Sequence, residues 1–273
     1  MIRLGECIMV KVLSMTCCCV DVYPELGKVT VGGNALNLAA NCAKSGKVKA
    51  YLMGNIGTDA YANEIKKVVD SFGIQREHLY EVEGESANHI IHISESGDRY
   101  FKENSWTNGA YATFKITSVD EQFMKEMDGI ATTVFEPEFQ HILEIKRTSD
   151  FVLAVDFHDE RARKDWETYF DAIDLFFISG VEEDLSILKE WSTRYQTVFV
   201  ATLGADGSIA YQAGKEYRCE AIPVETIVDT TGCGDSYQGA FLVEYLMSQN
   251  ILKAMQAGSE AAAITLTFVG GIA

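Results

Sequence analysis

Short apolar runs alternate along the chain with stretches whose apolar residues recur at helical spacing, the pattern of βα units laid on a parallel sheet. The runs predict strands at Val12–Val20, Lys49–Met53, Ile130–Phe135, Phe151–Asp156, Leu175–Ile178 and Val198–Thr202. Between them, helices are expected over Ala35–Lys44, Tyr61–Phe72, Val119–Met127, Glu138–Arg147 and Leu185–Arg194, with a helical final third from Cys233 to Phe268. Strands apolar on both faces belong to a mainly parallel sheet that is doubly covered by helices. Two regions follow period-two alternation instead: Lys28–Val31, then His89–Ser94 and Arg99–Lys102 around Glu95-Ser96-Gly97-Asp98. They predict a small projecting β lid with strands near residues 22–32 and 86–104. Another hairpin is expected from Ser208–Gln212 and Glu216–Ala221. With 273 residues, no repeat and no linker, the expectation is a single α/β domain over residues 1–273.

Charge narrows the partners. The 23 Lys and Arg stand against 40 Asp and Glu, a formal net charge of -17. Such a surface repels nucleic acid and anionic lipid, and any phosphate ligand needs a local positive site. The seven cysteines are odd in number and lack paired metal-ligand spacing, so buried reduced thiols are expected. Arg3, Glu6 and Lys11 interrupt the apolar start, and no segment reads as a signal peptide or membrane span. A cytoplasmic protein is expected.

The strongest chemical signal is Asp229-Thr230-Thr231-Gly232-Cys233-Gly234-Asp235-Ser236, entering the helical run from Tyr237 to Val243. Two glycines permit a tight turn, and the free amides at the start of the following helix make an anion hole. Asp235 can serve there as N-cap and as a carboxylate facing the hole. A carboxylate beside a phosphate-sized nest is the minimum for phosphoryl transfer, with the base taking the proton of the attacking hydroxyl. Spacing alone leaves a plain capped helix equally open.

The string DTTGCGDSYQGAF resembles the second signature of the PfkB/ribokinase family of carbohydrate kinases, with Cys233 where alanine is usual. The resemblance implies Asp235 as catalytic base and Gly232, Cys233 and Gly234 as anion-hole residues, Cys233 acting through its backbone amide. Gly32-Gly33-Asn34-Ala35-Leu36-Asn37, followed by Gly54-Asn55-Ile56-Gly57-Thr58-Asp59, is similar to the first signature, whose positions contact the acceptor sugar. Gly33 permits close approach of a ligand, and Asn37 offers both a donor and an acceptor to a hydroxyl. Taken by themselves these residues also fit a capped core helix. Thr202-Leu203-Gly204-Ala205-Asp206-Gly207 is similar to the family segment along which the nucleotide lies, implying Thr202, Gly204, Gly207 and Thr231 on the ATP side. Ser179-Gly180-Val181-Glu182-Glu183 stands where relatives carry NxxE, whose Glu acts on magnesium through water; Glu183 matches, while Gly180 replaces the Asn.

The resemblance implies a ribokinase-like fold, ATP and Mg2+ as cofactors, K+ as a further candidate, and a small-molecule sugar as the partner. Asp21, after the first strand, sits where the family places a substrate carboxylate, and Arg99 matches an arginine common in relatives that could pair with a substrate carboxylate. The first-strand Gly-Asp pair is replaced by Thr16-Cys17. The segment CVDVYPELGKVTVGGNALNLA most resembles the fructosamine-type kinases, including fructoselysine 6-kinases, which implies transfer to the 6-hydroxyl of a ketose-amine. Fructokinase or another sugar kinase of the same family is the alternative. A homodimer through the lid is expected, the lid also excluding water from the γ-phosphate. No GxxxxGK[ST], no HRD or DFG set, and no GxGxxG after the first strand occur, which removes the P-loop, protein-kinase and dinucleotide readings. A nucleotide-binding regulator without catalysis, suggested by Gly180, is countered by the retained Asp235.

Overall fold

A computed structural model describes residues 9–15, 17–93, 99–100, 102–160 and 165–273, with Ile93, Arg99 and Tyr100 described for the backbone only. The strands are β1 (Val10–Met15), β2 (Cys19–Tyr23), β3 (Lys28–Gly32), β4 (Val48–Ile56), β5 (Gln75–Glu81), β6 (Asn88–Ile90), β7 (His92–Ile93) and β8 (Arg99–Tyr100). They continue as β9 (Trp106–Thr107), β10 (Gly129–Thr133), β11 (Val152–Asp156), β12 (Leu175–Ser179), β13 (Val198–Thr202), β14 (Ser208–Gln212) and β15 (Lys215–Cys219). The helices are α1 (Asn34–Lys44), α2 (Ala60–Ser71), α3 (Ser118–Met124), α4 (Phe139–Lys146), α5 (Glu182–Arg194), α6 (Cys233–Ser248) and α7 (Ile251–Thr265).

Nine strands form the main sheet in the order β15-β14-β13-β12-β11-β10-β1-β4-β5. Pairing is parallel from β5 through β13 and antiparallel only for β13/β14 and β14/β15. Both faces are covered, as the apolar strands require. One core gathers Leu36 and Leu38 of α1, Ile65 of α2, Phe241 of α6 and Met255 of α7 over Val12, Leu52 and Phe177. The opposite core gathers Met124, Ile142, Leu143 and Trp191 over Leu13, Ile130, Phe176 and Phe199. A second sheet, β3-β2-β6-β9, and a two-stranded β7/β8 unit stand apart from the main one.

The apolar run expected as one strand, Val12–Val20, is two strands in two sheets. The break serves the start of α1: the Cys17 carbonyl accepts from the Ala35 amide at 3.3 Å, and a β-carbon on Gly33 would lie 2.4 Å from that carbonyl. Thr16 lies outside the described residues. The expected strand His89–Ser94 is likewise divided into β6 and β7, because Ile91 turns its amide to the Val22 carbonyl at 2.9 Å. The Glu95-Ser96-Gly97-Asp98 turn lies outside the described residues, yet β7 and β8 pair antiparallel, His92 with Tyr100 and Ile93 with Arg99. β5 was not expected. It is an edge strand in which Leu79 alone is buried, so it carries no apolar run to read. Helix α3 ends earlier than the spacing predicts, closing in turns from Phe123 to Glu126 and Met124 to Met127.

Candidate active site

Strand β1 lies between β4 and β10, so the order of connection reverses there, and a crevice opens at the carboxyl ends of β1 and β10. Ser14, Asn34, Thr132, Thr133, Asp156 and Asp235 line a cleft at this point. β1 and β10 supply its floor, β11 delivers Asp156 from its last position, and the first turns of α1 and α6 close it from above.

Helix α6 begins at Gly232, whose φ of 74° is left-handed and whose α-carbon abuts Gly271; an added β-carbon would lie 2.4 Å from the Gly271 α-carbon. The loop before it is tied down by Asp229, which accepts from the Thr231 amide at 2.8 Å and from the Gly270 amide at 2.8 Å. The Cys233 amide turns back to the Thr230 carbonyl at 3.3 Å, and Ser236 closes the first helical bond to Gly232 at 2.9 Å. The amides of Gly234 and Asp235 have no hydrogen-bond partner among the described residues, and the space in front of Gly234 is open. Two unpaired amides and the positive end of a helix of 16 residues form a cradle for an anion, which fits a nucleotide phosphate. Cys233 itself points away, its thiol set against the Ala262 carbonyl at 3.8 Å and pushed up to about 11 by burial.

Asp235 is the third residue of α6 rather than its N-cap, a position that Gly232 takes. This turns its carboxylate across to α1. Oδ1 accepts from Asn34 Nδ2 and Oδ2 accepts from Asn37 Nδ2, both at 2.8 Å. Burial pushes the carboxyl above its ordinary range; the Asn37 donor opposes this, the charge of Asp156 adds to it, and Asn34 and His158 oppose it in turn. The two helices are joined at this level by Asn41, whose Nδ2 donates to the Asn37 carbonyl and to Ser236 Oγ at 2.9 Å each.

The residues expected from the acceptor side divide. Gly33 has φ 92° and lies directly on Cys17 and Cys19, where only glycine fits. Asn37 is buried against Asp235, with its Oδ1 without a partner among the described residues and set against Gly32 and Gly271. Asp21 stands in the second sheet, in a cross-strand row with Thr30, His89 and Trp106. Arg99 lies in β8, and its side chain is outside the described residues.

On the expected nucleotide side, Thr202 ends β13, and Gly204 and Gly207 bracket a short turn with φ of 59° and 83°. A β-carbon on Gly207 would lie 2.2 Å from the Cys219 carbonyl. Thr231 donates its amide to Asp229. Glu183 is exposed in the first turn of α5. Gly180, the departure from the family pattern, packs on β13: a β-carbon there would meet the Ala201 β-carbon at 2.8 Å, so the usual Asn requires a backbone shift. Among the described residues no group of three or more His, Cys, Asp or Glu is placed to hold a metal ion.

Two residues of the cleft, Asn34 and Asp156, and the buried Glu136 outside its lining were not anticipated. Asn34 reads in sequence as an ordinary helix start, Asp156 as the end of a strand, and Glu136 as part of a polar turn. Glu136 is in fact 5% exposed; Tyr111 donates to its Oε2 at 3.1 Å, its Oε1 has no partner among the described residues, and burial pushes its carboxyl up to about 7. For Asn34, its place two residues after Gly32 in the first signature is the only available signal.

The geometry suits phosphoryl transfer, and comparison with known proteins gives the family. Residues 19–273 match the pfkB family of carbohydrate kinases, and the chain belongs to that family. It is 28% identical over 258 residues to a fructoselysine 6-kinase of Shigella flexneri, covering 92% of this chain and 95% of the relative. It is 26% identical to a fructosamine kinase of Bacillus subtilis, covering 92% and 89%. Arabidopsis thaliana ribokinase, solved with ribose and ATP, shares the fold with a TM-score of 0.82, 18% identity, and coverage of 96% and 94%. The chain is therefore a sugar kinase with a ribokinase-like fold, a phosphotransferase with an alcohol acceptor, and its family uses ATP with a metal. Among the described residues no helix is long and apolar enough to cross a membrane.

Proposed function

We propose that this kinase transfers the γ-phosphate of ATP to the 6-hydroxyl of fructoselysine or a related fructosamine. The observation that carries the reading is the buried Asp235 carboxylate, held by Asn34 and Asn37 next to the unpaired amides at the start of α6. The choice of a fructosamine rests on the similarity to fructoselysine and fructosamine kinases over 92% of the chain.

In this reading Asp235 takes the proton of the acceptor hydroxyl as its oxygen bonds to the γ-phosphorus. The bond from that phosphorus to the β,γ-bridging oxygen breaks, and ADP leaves. The amides of Gly234 and Asp235 stabilise the charge on the transferring group. Gly232 shapes that turn, and Cys233 contributes backbone alone. Thr202, Gly204, Gly207 and Thr231 flank the nucleotide, while Gly33, Asp21 and Arg99 serve the acceptor. Mg2+ bound with ATP would offset phosphate charge, with Glu183 acting on it through water, and K+ belongs to the same proposal. The single domain over 1–273, the second sheet as a lid, pairing of two copies through it and a cytoplasmic location complete the reading. The exposed Leu26, in the turn between β2 and β3, and the exposed Val29 of β3 support the pairing, and the free cysteines support the location.

The test is ADP release from ATP and magnesium with fructoselysine, other fructosamines, fructose, ribose, adenosine or no acceptor. Preference for a fructosamine is expected. Turnover on fructose alone transfers the reading to fructokinase. In Asp235→Asn, turnover is expected to fall by about a hundredfold to ten-thousandfold with ATP affinity retained, as read by calorimetric titration. Undiminished turnover sinks the mechanism.

A further inference from the structure

Both oxygens of Asp235 are taken by carboxamide donors from one helix. Asn34 and Asn37 are three residues apart in the first turn of α1, so their side chains leave the same face. Each gives one N–H to a different oxygen, both at 2.8 Å. A single bond leaves a carboxylate able to turn about Cβ–Cγ. Two bonds on opposite oxygens fix that angle.

The clamp is itself held in place. Asn41 secures the Asn37 backbone and α6 together. On its other side the Asn37 amide packs on Gly271, whose lack of a β-carbon leaves it room, since a β-carbon there would lie 2.4 Å from Nδ2. Its Oδ1 has no partner among the described residues, so the Asn37 side chain bonds through its donor.

We propose that Asn34 and Asn37 are positioning residues whose paired N–H groups favour the charged form of Asp235 and fix its orientation before an acceptor arrives. The proposal rests on Asp235 being the base of the kinase reading. Hydrogen bonds to a carboxylate favour its charged form, and here they work against burial and against a neighbouring charge. The titratable groups that face Asp235 are Asp156 at the end of β11, His158 just beyond it and the Cys233 thiol within α6. From α1 the contacting groups are Asn34 and Asn37, both neutral. Loss of one donor therefore leaves desolvation and Asp156 with less opposition.

The measurement is a carbon-13 titration of protein labelled at the aspartate carboxyls, with the Asp235 signal identified by its absence from Asp235→Asn. In Asn34→Ala the Asp235 midpoint is expected to rise by about one pH unit or more. Asn34→Asp keeps the shape but replaces the donor with a second carboxyl, and a larger rise is expected. The acid limb of kcat/KM for fructoselysine should move by the same amount, with KM for ATP unchanged. Midpoints that stay at the wild-type value in both variants, with only the melting temperature lowered, would reduce the asparagines to packing and overturn the proposal. The titration needs no acceptor, so a failure of the fructosamine reading leaves it intact. Undiminished turnover in Asp235→Asn removes the base and the clamp together.

Discussion

Glu136 is a buried carboxyl with little to balance its charge. One oxygen has a tyrosine hydroxyl, the other has no partner among the described residues, and the carboxyl rises from 4.5 to about 7. The folded chain thus holds a proton that the unfolded chain releases, so stability is fully present below the unfolded value of 4.5 and is lost as pH rises through about 7. The expected loss across that window is at most about 3 kcal/mol, read by urea denaturation at a series of pH values. Glu136→Gln should be the more stable protein above neutrality and should flatten the profile; an unchanged slope would place the pH dependence elsewhere. Asp235 was legible in the sequence because glycines on either side of Cys233 announce a turn into a helix. Glu136 was not, since Phe135-Glu136-Pro137 reads as a surface turn, and only the approach of Tyr111 from a distant segment buries it. Asn34 escaped for a related reason, because its partner lies 201 residues away.

Among the elements, the glycines at the heads of α1 and α6 are there for opposite reasons. At Gly33 the backbone is left-handed and faces the Cys17 carbonyl, so Gly33→Ala combines a strained φ with a steric clash. It is expected to destabilise by about 3 kcal/mol or more, seen as a lower urea midpoint or as insoluble protein. At Gly234 the backbone is helical and nothing lies within 4 Å of a β-carbon, so Gly234→Ala should leave stability within about 1 kcal/mol of wild type. Gly234 belongs to the proposed anion cradle, so weaker ATP binding by calorimetry is the expected result. Unaltered affinity would remove the cradle from the nucleotide site. The central strands were legible because burial on both faces leaves an apolar run. That same continuity concealed the passage from β1 to β2, and β5 was missed because an edge strand needs no such run.

At the scale of the molecule, a formal charge of -17 meets a nucleotide that is itself anionic. Long-range repulsion slows encounter and is screened as the Debye length falls from about 30 Å at 0.01 M salt to about 8 Å at 0.15 M. kcat/KM for ATP is therefore expected to rise over this range, which initial rates at subsaturating ATP will read; a fall would reveal a cationic approach route. The layered α/β plan was legible in the alternation of runs and amphipathic stretches. What no local reading could supply was that the N-terminal and C-terminal thirds share one centre. The hydrogen bonds that hold Asp235 span 198 and 201 residues. Neither end of the chain can hold the site until that loop is closed. Catalytic competence therefore depends on the last helices being docked on the first, and a chain with either end undocked lacks the assembled centre.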